Sequence, residues 1–122
     1  MASLGLFGNQ IIDLKPLAGL VKLKVLDLRM NQITDAKPLA GLKELKNIGL
    51  EFNKITDLTP LADLTKLEVI RLHNNKITDL TSLGGLKQAV HIDLRANAGL
   101  TKGEIKKLQK ALPKCQIPNQ AK

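Results

Sequence analysis

The chain has 122 residues, of which 43% are apolar and 25% charged, and its formal net charge is +8. This composition suits one small soluble domain of residues 1–122, and no stretch approaches the roughly 18 uninterrupted apolar residues of a membrane span. The N-terminus lacks the basic, apolar and small-residue order of a secretory signal, so the chain as given is expected to be cytoplasmic. Its single cysteine, Cys115, excludes an internal disulfide and a cysteine-based metal cluster.

The sequence repeats itself at a fixed distance of 22 residues. At that shift one column contains only leucine: Leu6, Leu28, Leu50, Leu72 and Leu94. Another contains only asparagine: Asn9, Asn31, Asn53, Asn75 and Asn97. A single catalytic site does not require a repeated sequence, whereas stacked structural units do.

The first predicted element is a strand in residues 1–16, a partial N-terminal repeat in which Leu4 falls in the column of Leu26. Such a strand exposes a hydrogen-bonding edge and an apolar end of the core, which proteins usually protect. We expect either a truncation boundary at residue 1 or a homo-oligomer formed through this uncapped edge. The edge comprises Ser3, Leu4, Gly5, Leu6 and Phe7.

Four full repeats are predicted next, over residues 17–38, 39–60, 61–82 and 83–104. Over Val25–Arg29 apolar and exposed residues alternate, which indicates a strand with one buried face. Because each strand follows a complete unit, neighbouring strands must be parallel, and the segments that begin at Pro16, Pro38 and Pro60 return the chain through short helical turns. The predicted fold is an α/β right-handed solenoid, with a parallel sheet on the concave face and short 3-10 or helical turns on the convex face.

The repeats read "LxxLxLxxN" followed by "xITDLxPLxxL", and phrases such as "ITDLTPLADLTKL" and "NQITDAKPLAGL" recur. They resemble the 22-residue, internalin-like class of bacterial leucine-rich repeat proteins over almost the whole chain. The resemblance implies the solenoid fold and a role in protein recognition. A further resemblance, to phosphatase-binding members of the same class, implies a regulatory scaffold as an alternative.

The two polar columns have structural interpretations. The asparagine column is predicted to form a ladder that satisfies buried backbone amides between turns. The aspartate column offers one carboxylate per unit, whereas a calcium loop needs several within a dozen residues. We therefore expect each aspartate to organise a turn by accepting backbone amides. These aspartates are Asp13, Asp35, Asp57 and Asp79.

The C-terminal residues 101–117 depart from the repeat and predict a capping α-helix, followed by a tail over 118–122. Thr101 and Glu104 have the spacing of a capping box, and Pro113 ends the helix. Cys115 and Ile117 then alternate as a short final strand, with the thiol buried against the strand of Leu94.

Candidate binding residues lie where the repeats differ, at outward positions of the strands. These partner-binding candidates on the concave face are Arg29, Met30, Glu51, Phe52, Arg71, His73, Asp93 and Arg95. The register predicts the exposed ion pairs Arg29–Glu51 and Arg71–Asp93. Phe7, Met30 and Phe52 are expected either to form an apolar strip along one rim or to lie half-buried beneath loops.

The sequence gives little support for an enzymatic function. The only material for a triad or a metal site is His73, His91, Asp93 and Cys115. The two histidines lie four positions apart on adjacent predicted strands, about 13 Å at ~3.3 Å per residue, which is too far for a relay or shared ligation. No glycine-rich phosphate loop follows a strand. We predict no catalytic, cofactor-binding or metal-binding residues.

The positive charge is spread around the repeats, and the only aromatic residues, Phe7 and Phe52, do not provide stacking platforms for bases. This pattern argues against specific nucleic-acid binding. We therefore predict a non-enzymatic module that binds a protein or peptide ligand on its concave sheet. Besides the regulatory scaffold, non-specific binding of nucleic acid or anionic lipid through the basic surface stays open.

Overall fold

A computed structural model describes residues 2–121, so Met1 and Lys122, the ends of the predicted partial repeat and tail, lie outside the described residues. Five three-residue strands form one parallel sheet in sequence order. They begin 22 residues apart, at β1 Ser3–Gly5, β2 Val25–Asp27, β3 Asn47–Gly49, β4 Val69–Arg71 and β5 His91–Asp93. The strands are shorter than the stretch Val25–Arg29 predicts, although the ladder continues through the bond from Leu28 N to Gly49 O at 2.8 Å.

Short 3-10 helices return the chain on the other side of the core. They span Lys15–Leu17, Lys37–Leu39, Thr59–Leu61 and Thr81–Leu83. Before each one, an aspartate Oδ1 accepts the first backbone amide of the helix at 2.9 Å, as Asp57 does from Thr59 and Asp79 from Thr81. The hydrogen bonds from these two threonines hold the pKa of both carboxyls below their ordinary value. The aspartate column therefore organises the turns.

The core is one continuous apolar column between the sheet and the 3-10 helices. Leu28, Leu50 and Leu72 are fully buried, and Leu94 continues the same line. The residue two positions earlier in β2 to β5 is buried as well, so each of these four strands contributes two apolar side chains to the interior. A single turn could not bury this surface alone, which is why the turns must stack. The predicted leucine-rich repeat solenoid is confirmed.

The asparagine column lies between neighbouring turns. Asn53 is 8% exposed, its Oδ1 accepts the amide of Ile33 at 3.0 Å, and its Nδ2 donates to the carbonyls of Leu28 and Leu50 at 2.9 and 3.0 Å. The equivalent bonds recur at Asn31, Asn75 and Asn97. Asn9 differs because it is exposed and its side chain donates only to the carbonyl of Phe7, at 3.1 Å.

The α-helix α1, Lys102–Ala111, covers the last repeat. Thr101 Oγ1 accepts the amide of Glu104 at 3.2 Å, which is one half of the predicted capping box. In the second half of a capping box the glutamate accepts the backbone amide of the N-cap residue. Here Glu104 Oε1 instead accepts the amide of Leu80 at 3.1 Å. The glutamate thus joins the cap to the preceding turn, because a free backbone amide of that turn lies within its reach. Leu108 and Leu112 are buried beneath the cap.

The segment after α1 pairs with β5 less extensively than predicted. In place of a final strand, a single bridge joins His91 and Gln116. The amides of Ile92 and Leu94 donate to Gln116 O and Pro118 O, both at 2.8 Å. Cys115 is buried, and this burial raises the pKa of its thiol.

At the other end of the sheet, β1 pairs only with β2 among the described strands. The side chains of Ser3 and Phe7 are exposed, while Leu4 and Leu6 are half-buried against the core. The outer backbone edge of β1 has no strand beside it within residues 2–121.

Candidate functional site on the concave face

The concave face is the side of the sheet opposite the core, and two columns of side chains form it. The strand register aligns Asp27 with Gly49, Arg71 and Asp93. Two residues further along, Arg29, Glu51, His73 and Arg95 occupy the second column. These residues, with Phe7, Met30, Phe52 and His91, border two adjoining shallow grooves. All eight sequence-predicted partner-binding residues thus lie on one surface or its rim.

The predicted cross-strand ion pairs do not form, although the register is as expected. Arg29 Nε lies 3.0 Å from Asp27 Oδ1, on its own strand, instead of pairing with Glu51. Arg95 makes the same contact with Asp93, at 2.7 Å from Nη2 to Oδ2. Residues two apart on one strand point the same way, and the backbone amide of each arginine also donates to the aspartate. Each aspartate therefore pairs with the arginine two residues later in its own turn and not with a residue of a neighbouring strand.

Arg71 does not pair with Asp93 either. Its Nη1 donates to Asn47 Oδ1 at 2.9 Å, across the sheet in the opposite direction. Asp93 already accepts two guanidinium nitrogens and one backbone amide from Arg95. Its carboxylate is thereby saturated, which leaves Arg71 to bond the neutral amide.

His73 lies beside Asp93, a proximity that the sequence analysis missed because it compared His73 only with His91. The separation between His73 Nδ1 and Asp93 Oδ2 is 3.2 Å, but the two atoms are not aligned for a hydrogen bond. Asp93 is 4% exposed, and burial favours its neutral form. Hydrogen bonds from Arg95 and the nearby His73 outweigh burial and hold the pKa of the Asp93 carboxyl below its ordinary value.

Glu51 is the least expected member of the face. Sequence position predicts an exposed side chain, yet Glu51 is 4% exposed, and its Oε1 is buried without a hydrogen-bond partner. The oxygen lies 2.8 Å from the point where a Cβ on Gly49 would stand. Burial raises the pKa of the Glu51 carboxyl above its ordinary value, against the opposing effects of its own backbone amide and of the His73, Arg29 and Arg71 charges. The sequence signal that could have revealed this arrangement is Gly49, which stands between charged residues on both neighbouring strands, Asp27 and Arg71.

Three apolar side chains line one rim of the concave face. Phe7, Met30 and Phe52 are 51%, 51% and 47% exposed, intermediate between the two sequence-based expectations. The Arg29 guanidinium lies 4.7 Å from the centroid of the Phe7 ring, and the Phe52 ring meets the His73 ring edge-on at 5.4 Å. The rim therefore combines exposed apolar surface with the charged columns behind it.

Other site types are not apparent within residues 2–121. No group of three or more His, Cys, Asp or Glu side chains there is arranged to hold a metal ion. In the same range, no helix has the length and apolar character that crossing a membrane requires.

Comparisons with known proteins agree with this architecture. A family model described as leucine-rich repeats in two copies matches residues 2–41 and 43–85. No curated protein matches the chain. Among solved structures, an internalin (inlF) of Listeria monocytogenes superposes with a TM-score of 0.91 at 28% identity, over 100% of this chain and 36% of that one.

Two further structures are similar. Internalin C2 of Listeria monocytogenes has a TM-score of 0.91 and 36% identity, with 98% of this chain and 52% of that chain covered. A leucine-rich repeat protein of Leptospira interrogans has a TM-score of 0.74 and 27% identity, with 96% and 36% covered. The chain thus spans about a third to a half of the length of these relatives. The chain belongs to the leucine-rich repeat family and resembles its bacterial, internalin-like members.

Proposed function

We propose that this chain is a non-enzymatic module that binds a protein or peptide on its concave face. Leucine-rich repeat proteins generally mediate protein–protein interaction, but fold alone does not identify a binding surface. The observation that favours this face is the contrast between constant and variable columns. The core columns of the strands stay leucine or isoleucine and the ladder column stays asparagine, whereas the two concave columns change charge from strand to strand. Architecture explains the constant columns and leaves the variable ones free for recognition.

The apolar rim supports the same surface. Phe7, Met30 and Phe52 leave about half of each side chain in water. Interface centres are enriched in aromatic residues, methionine and arginine, and such residues stand together here. The adjoining Arg29 and Arg71 complete that composition.

Partner capture from a native bacterial extract tests the proposal. The unmodified chain should retain a protein that Arg71→Glu loses, since the substitution reverses a charge on the concave face. Lys43→Glu is the matched control, because Lys43 is exposed in a turn after the second 3-10 helix. Equal capture by all three proteins would contradict the use of this face. A captured phosphatase subunit would instead favour the regulatory scaffold.

Salt dependence separates protein recognition from binding through general positive charge. The exposed lysines of the C-terminal region, Lys102, Lys106, Lys107, Lys110 and Lys114, suit non-specific contact with anions. Binding to duplex DNA or to vesicles containing phosphatidylserine should then fall steeply between low and physiological salt. A captured complex that survives physiological salt and is lost with Arg71→Glu supports the concave face.

We also propose that the open edge of β1 pairs with a second copy of this chain. An unpaired strand edge beside half-buried Leu4 and Leu6 provides both hydrogen-bonding groups and apolar surface. Light scattering at high micromolar concentration should give a mass above that of the 13.3 kDa monomer. Leu6→Lys, which places a charge at the apolar end, should return the monomer mass. A monomeric mass for the unmodified chain would contradict this proposal.

A further inference from the structure

The carboxylate of Glu51 has an unsatisfied hydrogen-bond acceptor. The residue is 4% exposed, and its Oε1 has neither solvent contact nor a hydrogen-bond partner in the protein. Buried polar atoms are nearly always hydrogen-bonded, and an unsatisfied charged group costs more free energy than a neutral one. A donor brought by a partner would therefore gain more here than at a carboxylate that already has partners.

The nearby cations are already engaged with other groups. Arg29 is bound to Asp27 through Nε and Nη2 at 3.0 Å, and Arg71 is bound to Asn47 at 2.9 Å. Both guanidinium groups lie close enough to Glu51 to favour its charged form, but neither forms an ion pair with it. Glu51 is thus the one carboxylate among Asp27, Glu51 and Asp93 that lacks a side-chain partner in the described residues.

Gly49 explains how the carboxylate reaches this position and how it can leave. Because the glycine has no side chain, Glu51 folds back over the strand into space that a Cβ would occupy. The carboxylate is the end of a flexible side chain, and a rotation of that side chain toward the groove is the movement that binding there requires.

The backbone at the rim adopts the same left-handed conformation in every turn from Gly8 to Ala96, which restricts the residue types that fit there. Met30 and Phe52 have φ angles of 54° and 59°, in the left-handed region that disfavours residues with large side chains. Gly8 and Asn74, which occupy the same column, are the residue types that tolerate this conformation best. Keeping Met30 and Phe52 there costs folding free energy, and each leaves about half of its side chain in water. A partner that packs on these two side chains would offset that cost.

We propose that the groove between Glu51 and Phe52 binds a lysine or arginine side chain of a peptide partner, with a neighbouring apolar side chain of that partner packed on Phe52 and Met30. This inference rests on the proposed concave-face function and assigns the partner's chemistry. The ammonium or guanidinium group donates to the Glu51 carboxylate, which turns out from above Gly49 to receive it. The gain over a fully exposed pair comes from giving a donor to a carboxylate oxygen that has none in the free protein.

Two capped tripeptides provide a direct test on the full chain. The probes are leucine-arginine-phenylalanine and leucine-glutamate-phenylalanine, each acetylated and amidated and each titrated while NMR signals are recorded. The arginine peptide should cause saturable shifts centred on Gly49, Glu51 and Phe52, and the glutamate peptide should not. Glu51→Gln should weaken the arginine peptide about fivefold or more, a difference of about 1 kcal/mol.

Two further variants make the test specific. Glu44→Gln removes an exposed carboxylate that is paired with Lys66 away from the groove, and it should leave peptide affinity unchanged. Gly49→Ala should retain or strengthen binding, because the added methyl group holds the carboxylate away from the strand. Unchanged affinity in Glu51→Gln, stronger binding of the glutamate peptide, or no saturable binding of the arginine peptide would each overturn the inference.

Failure of this inference can be distinguished from failure of the proposed function. A captured protein whose complex tolerates Glu51→Gln but is lost with Phe52→Asn or Arg71→Glu would keep the concave face and refute the cationic partner. A captured protein insensitive to all three substitutions would refute both.

Discussion

The side chain of Asn53 joins two turns that are 20 residues apart in sequence, since its Oδ1 accepts the amide of Ile33 at 3.0 Å. Its Nδ2 donates to the carbonyls of Leu28 and Leu50. The bonds are buried, so no water can replace them when the side chain is removed. Each ladder asparagine therefore links the stability of one turn to that of the next.

Asn53→Ala should destabilise the fold strongly. It leaves a buried amide and buried carbonyls without partners, and each such group costs about 1–3 kcal/mol, so a loss of about 3 kcal/mol or more is expected. Asn9→Ala is the matched control, because Asn9 is exposed and makes one bond to its own strand, and its loss should stay below about 1 kcal/mol. Urea unfolding measures both. Similar losses for the two variants would contradict a structural ladder.

Gly49→Ala should move the Glu51 carboxylate with little change in stability. The new Cβ meets Glu51 Oε1 at 2.8 Å, and a flexible side chain can give way to it. Once the carboxyl is closer to water, its pKa should fall toward the ordinary value, which NMR titration of the side-chain carboxyl can follow. Gly5→Ala, at the equivalent position of β1, meets no atom within 4 Å and should leave that pKa unchanged.

Glu51→Gln should stabilise the protein at neutral pH but not in acid. Burial raises the folded-state pKa of Glu51, so stability linked to its protonation is present below the unfolded-state pKa and is lost as the pH rises through the folded-state pKa. Glutamine does not ionise, so the variant does not lose stability as the pH rises. This holds even though Arg29, Arg71 and His73 attract the charged form of Glu51. Urea unfolding across pH should show its advantage growing as the pH rises above the ordinary pKa of glutamate.

Glu44→Gln is a control for which the effect on stability at neutral pH should have the opposite sign. The hydrogen bond from Lys66 lowers the folded-state pKa of Glu44, so its contribution is present above the unfolded-state pKa and is lost as the pH falls through the folded-state pKa. This variant should therefore be less stable than the unmodified chain at neutral pH and equal to it in acid. A pH-independent difference for Glu51→Gln would contradict the buried, unpaired carboxylate.

Phe52→Asn should separate binding from stability. Asparagine tolerates the left-handed backbone at φ 59° better than phenylalanine, so the unfolding free energy should stay the same or rise by up to about 1 kcal/mol. Capture of the proposed partner should fall at the same time. Ala96→Asn, at φ 57° in the same column, is the matched control and should leave capture unchanged. A clear loss of stability in Phe52→Asn would show that the ring serves the fold.

Most of the fold could be predicted because the same residue pattern recurs in successive repeats. Each occurrence of the leucine and asparagine columns supports the others, and the buried Leu28, Leu50 and Leu72 lie where the 22-residue register places them. The C-terminal helix was also predictable from local signals, since Thr101 caps it and Pro113 follows it. The partner of Glu104 was not, because the amide of Leu80 comes from another turn.

The concave face was predicted as a set of residues but not as a set of contacts. The register correctly aligned Arg29 with Glu51 and Arg71 with Asp93. Alignment does not decide pairing, because long side chains have several partners within reach and take the one with the best local geometry. Asp27 and Asn47 therefore engage the two arginines, which leaves Glu51 above Gly49.

The amino-acid sequence by itself determined the parallel order of the turns and the columns that face the core, because the apolar positions recur every 22 residues from one turn to the next. Only the tertiary structure decided which charges on the concave face neutralise each other and which carboxylate stays unpaired. Those outcomes depend on distances of a few ångströms between side chains of different turns, and a missing Cβ at Gly49 changes them as much as any charge does.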